Sequence, residues 1–122
     1  MIAYTTVGTN NLEKAAAFYD ALFAEIGASR IMQNDKFINW GLSPQGPLFS
    51  VTKPYDGNEA SVGNGVMISI AAPTRDAVDA VFAKAMELGG KDEGGPGERF
   101  EGFYAAYLRD LDGNKICIVC FG

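Results

Sequence analysis

The chain has 122 residues, of which 48% are hydrophobic and 20% are charged, and its formal net charge is −5. These values are typical of one globular domain, and an acidic chain without a basic patch is not expected to bind nucleic acid. No stretch has the pattern of a signal peptide or the roughly 18 apolar residues of a membrane span, so the sequence predicts a cytoplasmic protein without a membrane partner.

Histidine is absent and cysteine occurs only twice, as Cys117 and Cys120. Because histidine is the commonest metal ligand and general base, a Ser-His-Asp triad is excluded. Two cysteines without a secretory signal are typical of a reducing cytosol. Their C-x-x-C spacing could indicate a redox pair or half of a zinc site. However, residues three apart on a strand face opposite sides, so the pair is predicted to share neither a disulfide nor a metal.

The first half of the chain has the pattern of a strand, a helix and three more strands. IAYTTVG is the first strand, and Asn10 with Glu13 three residues later predicts the start of a helix. This helix has an apolar stripe and ends at Gly27. The next strands are predicted in ASRIMQ, KFINWGL and LFSVTK, and the polar, Gly-rich stretch 54–65 has the composition of a linker.

The second half has the same order of elements. VMISIAA is a predicted strand, and Thr74 caps a predicted helix that ends at Gly89. KDEGGPGERFEG is expected to be an acidic loop that could hold a short edge strand. FYAAYLRD and KICIVCF are predicted strands, joined by a turn at residues 112–114.

Equivalent positions in the two halves recur at nearly constant spacing. Tyr4 and Met67 are 63 residues apart, and Ser50 and Cys117 are 67 apart. The sequence therefore predicts a single domain over 1–122, made of two β-α-β-β-β repeats. The repeats cover 1–53 and 66–122, and residues 54–65 link them.

The chain resembles the vicinal oxygen chelate superfamily of glyoxalases, bleomycin resistance proteins and extradiol dioxygenases. The resemblance rests on TTVGTNNLEKAAAFYDAL, PYDGNEASVGNG, TRDAVDAVF, GGKDEGGPGER, GFYAAYLRDLDGNKI and the final IVC. It implies an α+β fold in which two tandem βαβββ repeats form an open, curved mixed sheet around a cleft, with helices on the outer face. Members of this family commonly form homodimers, so a homodimer is expected here.

The sequence departs from the family's metal-dependent members at the four cleft positions where they carry histidine or glutamate. The resemblance places Tyr4, Ser50, Met67 and Cys117 at these positions. A hydroxyl, a thioether and a lone thiol do not make a site for divalent zinc, nickel, manganese or iron. We therefore expect no metal and no other cofactor.

The expected alternative is a cleft that binds a small molecule. An apolar cleft with few polar groups is typical of such sites, and the predicted lining residues are Tyr4, Trp40, Phe49, Ser50, Met67, Tyr104, Arg109 and Cys117. Arg109 could hold a carboxylate or phosphate, or could pair with Asp110 beside the turn. The acidic stretch after Gly90 could attract a cationic ligand or could be solvated surface.

Other functions remain open from the sequence alone. The cleft side chains could simply fill the old metal cavity as core. The chain could be a lyase or dioxygenase-like enzyme with an altered catalytic site, or a dimeric interaction protein without a ligand. Cys117 could act as a nucleophile, but no histidine or fixed cation is predicted beside it to lower its pKa.

Overall fold

The computed structural model describes residues 1–122, and its two halves have the same order of elements, strand, helix and three strands. The bounds are β1 Tyr4–Gly8, α1 Leu12–Ala24, β2 Ser29–Gln33, β3 Phe37–Gly41, β4 Leu48–Thr52, β5 Ile68–Ala71, α2 Arg75–Glu87, β6 Lys91–Phe100, β7 Phe103–Arg109 and β8 Lys115–Phe121. The predicted α+β class and tandem βαβββ repeats are confirmed. Neither helix has the length and apolar character needed to cross a bilayer.

Each half forms its own four-stranded mixed sheet. Sheet 1 has the order β1-β4-β3-β2 and sheet 2 the order β5-β8-β7-β6. β1 pairs in parallel with β4 in sheet 1, and β5 pairs in parallel with β8 in sheet 2. All other strand pairs are antiparallel. The parallel pairs are equivalent in the two halves. Thr6 pairs with Ser50 in sheet 1, and the residues at the corresponding positions, Ser69 and Cys117, pair in sheet 2.

The helices begin where short polar side chains can cap them. Asn11 caps α1 by accepting a hydrogen bond from the backbone N–H of Lys14, and Thr74 caps α2 in the same way from Ala77. The predicted cap at Asn10 is therefore one residue too early. Asn10 instead binds the linker, since its amide group exchanges two hydrogen bonds with the backbone of Ala60.

One hydrophobic core of 20 buried residues joins the two halves. The two helices touch each other, and each packs on one face of its own sheet. The aromatic residues of the core concentrate around Tyr19, whose ring centroid lies 4.8 Å from that of Phe49 and 5.7 Å from that of Trp40. The strand faces that point away from the helices are termed the cleft faces of sheet 1 and sheet 2.

A second connection between the halves is polar and lies at the turn after β7. The buried hydroxyl of Tyr19 in α1 donates to Oδ2 of Asp110 at 2.6 Å. Asn114 Nδ2 donates to the carbonyl of Gly8 at 2.9 Å, and Asp112 Oδ1 accepts from the backbone N–H of Asn10 at 2.9 Å. The D-x-D-G-N turn of the second half is thereby fixed to the β1–α1 junction of the first.

The segment after Gly90 differs from the expected acidic loop. Residues 91–100 form the ten-residue strand β6, which pairs with β7 through three irregularities in register. An edge strand needs only backbone pairing on one side, so its glycine-rich sequence lacks the usual alternation. Two of its acids form ion pairs, Glu93 with Arg109 and Glu98 with Arg75.

Candidate functional site

The cleft face of sheet 1 holds a pocket of about 430 Å³. Four strands supply its lining, which contains no charged side chain. The lining residues are Tyr4, Thr6, Met32, Phe37, Asn39, Leu48, Ser50 and Thr52. The size and the mixture of apolar surface with a few polar groups are typical of small-molecule sites.

Strand register arranges this lining in rows. Thr6, Ser50 and Asn39 are direct neighbours on three adjacent strands and form a polar row. On one side of this row Tyr4 pairs with Leu48. On the other side Thr52 pairs with Phe37 (register of β3 and β4). A ligand on this face would thus meet hydrogen-bonding groups in the middle and apolar groups at both sides.

Asn39 is positioned by the irregular pairing of β2 and β3. Its Oδ1 accepts a hydrogen bond from the backbone N–H of Met32 at 2.9 Å, where the register shifts between Arg30 and Met32. The amide oxygen is therefore occupied, while the amide nitrogen of this buried side chain remains available as a donor. The hydroxyls of Ser50 and Thr6 form no side-chain hydrogen bond within the chain and can donate or accept.

Cys117 occupies the cleft face of sheet 2 and Cys120 the opposite face, as predicted. Cys117 packs with Ala105 and Val119, whereas Cys120 belongs to the main core under α2. Both cysteines are free and buried. Burial raises the pKa of the Cys117 thiol, against the opposing effects of a hydrogen bond with Ser69 and of the Arg99 and Lys115 charges. A thiol that keeps its proton is a weak nucleophile.

The four positions at which metal-dependent relatives carry ligands do not form a metal site. Tyr4 and Ser50 line the sheet 1 pocket, whereas Met67 and Cys117 belong to the second half and are absent from that lining. No group of three or more His, Cys, Asp or Glu side chains is placed to hold a metal ion. Hydroxyl, thioether and protonated thiol groups are poor ligands for divalent metals. The residues present therefore do not fit such a metal.

Three predicted cleft residues lie on the helix-facing side instead, and their expected placement is corrected. Trp40 and Phe49 are buried against α1. Tyr104 donates its hydroxyl to Asp79 of α2 at 2.6 Å. The reason is strand alternation: Phe49 and Ser50 are neighbours, so they cannot face the same side.

The carboxylate of Asp20 fixes the position of the Trp40 indole. Trp40 Nε1 donates to Oδ1 of Asp20 at 2.8 Å, and Arg30 binds both oxygens of the same carboxylate. These donors lower the pKa of Asp20, chiefly through the hydrogen bonds from Arg30. Trp40 is thus held in the core by a polar contact at its edge and has no surface left for a ligand.

Arg109 is on the cleft face of sheet 2, but its guanidinium is already engaged. Nε binds Glu93 at 2.9 Å and Nη1 donates to the carbonyl of Gly113 at 3.1 Å. The expected pairing with Asp110 does not occur, because the Asp110 carboxylate points to the opposite face and binds Tyr19. Arg109 therefore has a structural partner on its own sheet.

Sequence reasoning missed several lining residues of the sheet 1 pocket. Thr6 lies two residues after Tyr4 and therefore on the same face, and Asn39 precedes Trp40 and therefore faces the other way. Strict alternation from Tyr4 and Ser50 would have identified both. Met32 had no such signal, because the irregularity in β2 changes the face of its residues.

A second hollow of about 700 Å³ lies between the start of α1 and the β2–β3 turn. Only three of its 11 lining residues are hydrophobic, and it carries charges of both signs, including Glu13, Arg30, Asp35 and Lys53. It shares no residue with the pocket on sheet 1. Its open polar surface offers a ligand little apolar area to bury.

Comparisons with known proteins agree with this architecture. The sequence profile described as Glyoxalase/Bleomycin resistance protein/Dioxygenase superfamily matches residues 1–118. A crystal structure of a glyoxalase/bleomycin resistance protein from Albidiferax ferrireducens T118 is 38% identical, with a TM-score of 0.89 over 98% of this chain and 97% of that one. No curated protein sequence was found to match.

Two more distant structures are also similar. A hypothetical protein from S. aureus is 26% identical, with a TM-score of 0.71 over 98% of this chain and 96% of that one. A glyoxalase/bleomycin resistance protein/dioxygenase family enzyme from Burkholderia phytofirmans PsJN is 20% identical, with a TM-score of 0.76 over 98% of both chains. This last likeness concerns the fold alone.

Proposed function

Because the chain belongs to the glyoxalase/bleomycin resistance protein/dioxygenase superfamily, we propose that it binds a small molecule in the sheet 1 pocket without a metal ion. The observation that supports this most directly is the uncharged lining of a pocket of about 430 Å³. A lining without charge favours a neutral ligand, because a charged one would lose its hydration without gaining a partner.

The rows of the pocket favour one class of ligand. Apolar side chains at both sides favour an aromatic or hydrophobic body, and Met32 can adjust to an irregular shape. The polar row of Thr6, Ser50 and Asn39 favours one hydroxyl, carbonyl or amide group on that body. The proposed ligand class is therefore a neutral aromatic or aliphatic alcohol, ketone or amide.

The experiment is a titration of ¹⁵N-labelled protein with a panel of neutral aromatic alcohols and amides, followed by backbone amide shifts. We expect saturable shifts in β1, β3 and β4, and weaker binding in Ser50→Ala, since a buried hydrogen bond contributes about 1 kcal/mol. The matched control is Ser69→Ala in sheet 2, which should bind as wild type. A panel that shifts no residue of sheet 1 would show that the cleft is filled core and would overturn the proposal.

Pairing into a homodimer is part of the same proposal. Large apolar side chains are exposed on or beside the cleft faces, including Ile2, Tyr4, Met32 and Met67. A second copy that covered them would bury apolar surface and close the open pocket. Sedimentation should show a dimer at micromolar concentration, and a monomer under these conditions would contradict pairing.

A thiol enzyme is less well supported than a binding protein. Its nucleophile would be Cys117, which is buried and keeps its proton because burial raises its pKa. The free state of both cysteines suits a reducing cytoplasm, which is the compartment we propose.

A further inference from the structure

The cleft face of sheet 2 carries two positive side chains that form no ion pair with a carboxylate. Arg99 and Lys115 take part in none of the four ion pairs of the chain. Both lie against the ring of Tyr107, with Arg99 Cζ 5.3 Å and Lys115 Nζ 5.7 Å from its centroid. Among the cations that form no ion pair, these two share a contact with the same aromatic ring.

The glycine-rich part of β6 allows Arg99 to lie flat on the sheet. Its Nη2 donates to the carbonyls of Gly94, at 3.2 Å, and Gly95, at 2.5 Å. A Cβ atom added at Gly97 would lie 3.1 Å from Arg99 Nη1, and one at Gly94 would lie 3.2 Å from the Tyr107 ring. A larger residue at either place would crowd the guanidinium or the ring against which it lies, so the GGPG stretch has a packing role in addition to that of a turn.

This arrangement fixes one nitrogen of Arg99 and leaves the others available. Nε and Nη1 make no hydrogen bond within the chain, so each can still donate a hydrogen bond to an anion. Cation–π contact with Tyr107 and the two carbonyl bonds hold the group in place before a ligand arrives.

Lys115 and Arg99 act on the same spot of the sheet. Both cations contact the ring of Tyr107, and Tyr107 pairs with Cys117 in the register of β7 and β8, so both lie on the part of the cleft face around these two residues. The neighbouring Arg109 adds no free charge, because Glu93 neutralises it at 2.9 Å. The charge of Lys115 also acts on Glu93, because it helps to lower the pKa of that carboxyl after the larger effect of the Arg109 hydrogen bond. Three cations of this face therefore share one carboxylate, which leaves an excess of positive charge.

We propose that Arg99 and Lys115 form an anion site on the cleft face of sheet 2, which binds the carboxylate or phosphate group of a small organic molecule. Two positive charges beside the same tyrosine ring attract an oxyanion more strongly than either does alone. The site shares no residue with the neutral pocket of sheet 1, so it stands or falls independently of that pocket.

The test uses three probes of similar size: benzoate, phenyl phosphate and neutral benzyl alcohol. Each is titrated into the ¹⁵N-labelled full chain at low ionic strength. Benzoate, phenyl phosphate or both should shift the amides of Tyr107, Lys115 and Cys117, and added salt should weaken the effect. The anion that binds more tightly identifies the preferred ligand group.

The key variant is Arg99→Gln, which should weaken anion binding about tenfold by removing charge-assisted hydrogen bonds. The matched control is Arg75→Gln, because Arg75 also lies over a tyrosine, at 5.0 Å from the Tyr104 centroid, but is paired with Glu98. It should bind both anions as wild type, and the spectra themselves show whether each variant is folded.

Three results would overturn the anion site: no shift with either anion, equal shifts of Tyr107, Lys115 and Cys117 with benzyl alcohol, or equal losses in the two arginine variants. Shifts confined to Thr6, Asn39 and Ser50 would place the probe in the sheet 1 pocket and would also contradict it. Failure of this experiment leaves the neutral pocket untouched, because the two sites report through different residues.

Discussion

The hydrogen bond between Tyr19 and Asp110 is expected to be a main source of stability between the two halves. Tyr19→Phe removes only the hydroxyl, so the contacts of the ring with the aromatic core are retained. The lost bond is 2.6 Å long, buried, and joins residues 91 positions apart in sequence. Its loss should therefore weaken the attachment of the β7–β8 turn to α1.

The size of the expected loss in stability depends on the hydrogen bonds that Asp110 keeps in the variant. Its carboxylate accepts four hydrogen bonds, from Tyr19 at 2.6 Å, from Asn114 at 2.8 Å and 3.0 Å, and from the Asp112 backbone at 3.0 Å. Three remain in Tyr19→Phe, so the carboxylate is not orphaned. The free energy of unfolding should fall by about 1.5–3 kcal/mol, the range for a hydrogen bond to a charged group. The melting temperature should fall by roughly 5–12 °C.

Urea unfolding, followed by Trp40 fluorescence and circular dichroism, measures this loss. The matched control is Tyr104→Phe, whose hydroxyl also donates to an aspartate at 2.6 Å, but at the surface. Solvent can replace that bond, so the control should lose only a small part of what Tyr19→Phe loses. Equal losses in the two variants, or an unchanged midpoint in Tyr19→Phe, would refute the reasoning.

Two further predictions concern pH and thiols. Burial, followed by the Asp110 charge, raises the pKa of Tyr19 above its ordinary value of 10.0, so the folded chain keeps a proton that the unfolded chain releases. The resulting contribution to the free energy of unfolding is complete below about pH 10 and is lost as the pH rises towards the pKa of Tyr19 in the folded chain. The urea midpoint of wild type should therefore fall more steeply above pH 10 than that of Tyr19→Phe. Parallel curves would contradict this prediction. Because Cys117 and Cys120 are buried on opposite faces, a thiol reagent should label neither in the folded chain and both after unfolding. Rapid native labelling or a disulfide would disprove it.

The sequence predicted those features of the fold that depend on local pattern. The helical spacing of apolar residues identified α1 and α2. A capping residue, Thr74, indicated the start of α2, and a glycine, Gly27, indicated the end of α1. The repeat was visible because equivalent residues keep the same spacing, and the pairs Thr6–Ser50 and Ser69–Cys117 confirm it. These signals need no knowledge of how the halves pack.

The features that the sequence did not predict depend on contacts between distant elements. The attachment of Asp110 to Tyr19 follows only from the packing of one half on the other. The full length of β6 was not predicted, because an edge strand rich in glycine has no apolar alternation. The wrong prediction that Trp40 and Phe49 line the cleft is a different case. Strand alternation from Ser50 was enough to assign Phe49 to the opposite face.

The two cleft faces have the same strand pairing but carry different side chains. Thr6 and Ser50 in sheet 1 correspond to Ser69 and Cys117 in sheet 2, and both pairs have the same parallel register. The charge difference comes from Lys115 of the central strand β8, at the position that Leu48 occupies in sheet 1, and from the edge strands. In sheet 1 the edge strand β2 supplies Met32, whereas in sheet 2 the longer edge strand β6 supplies Arg99 above Tyr107. The anion site that we propose on sheet 2 thus depends on one edge residue and one central residue, while the strand pairing of the two faces stays the same.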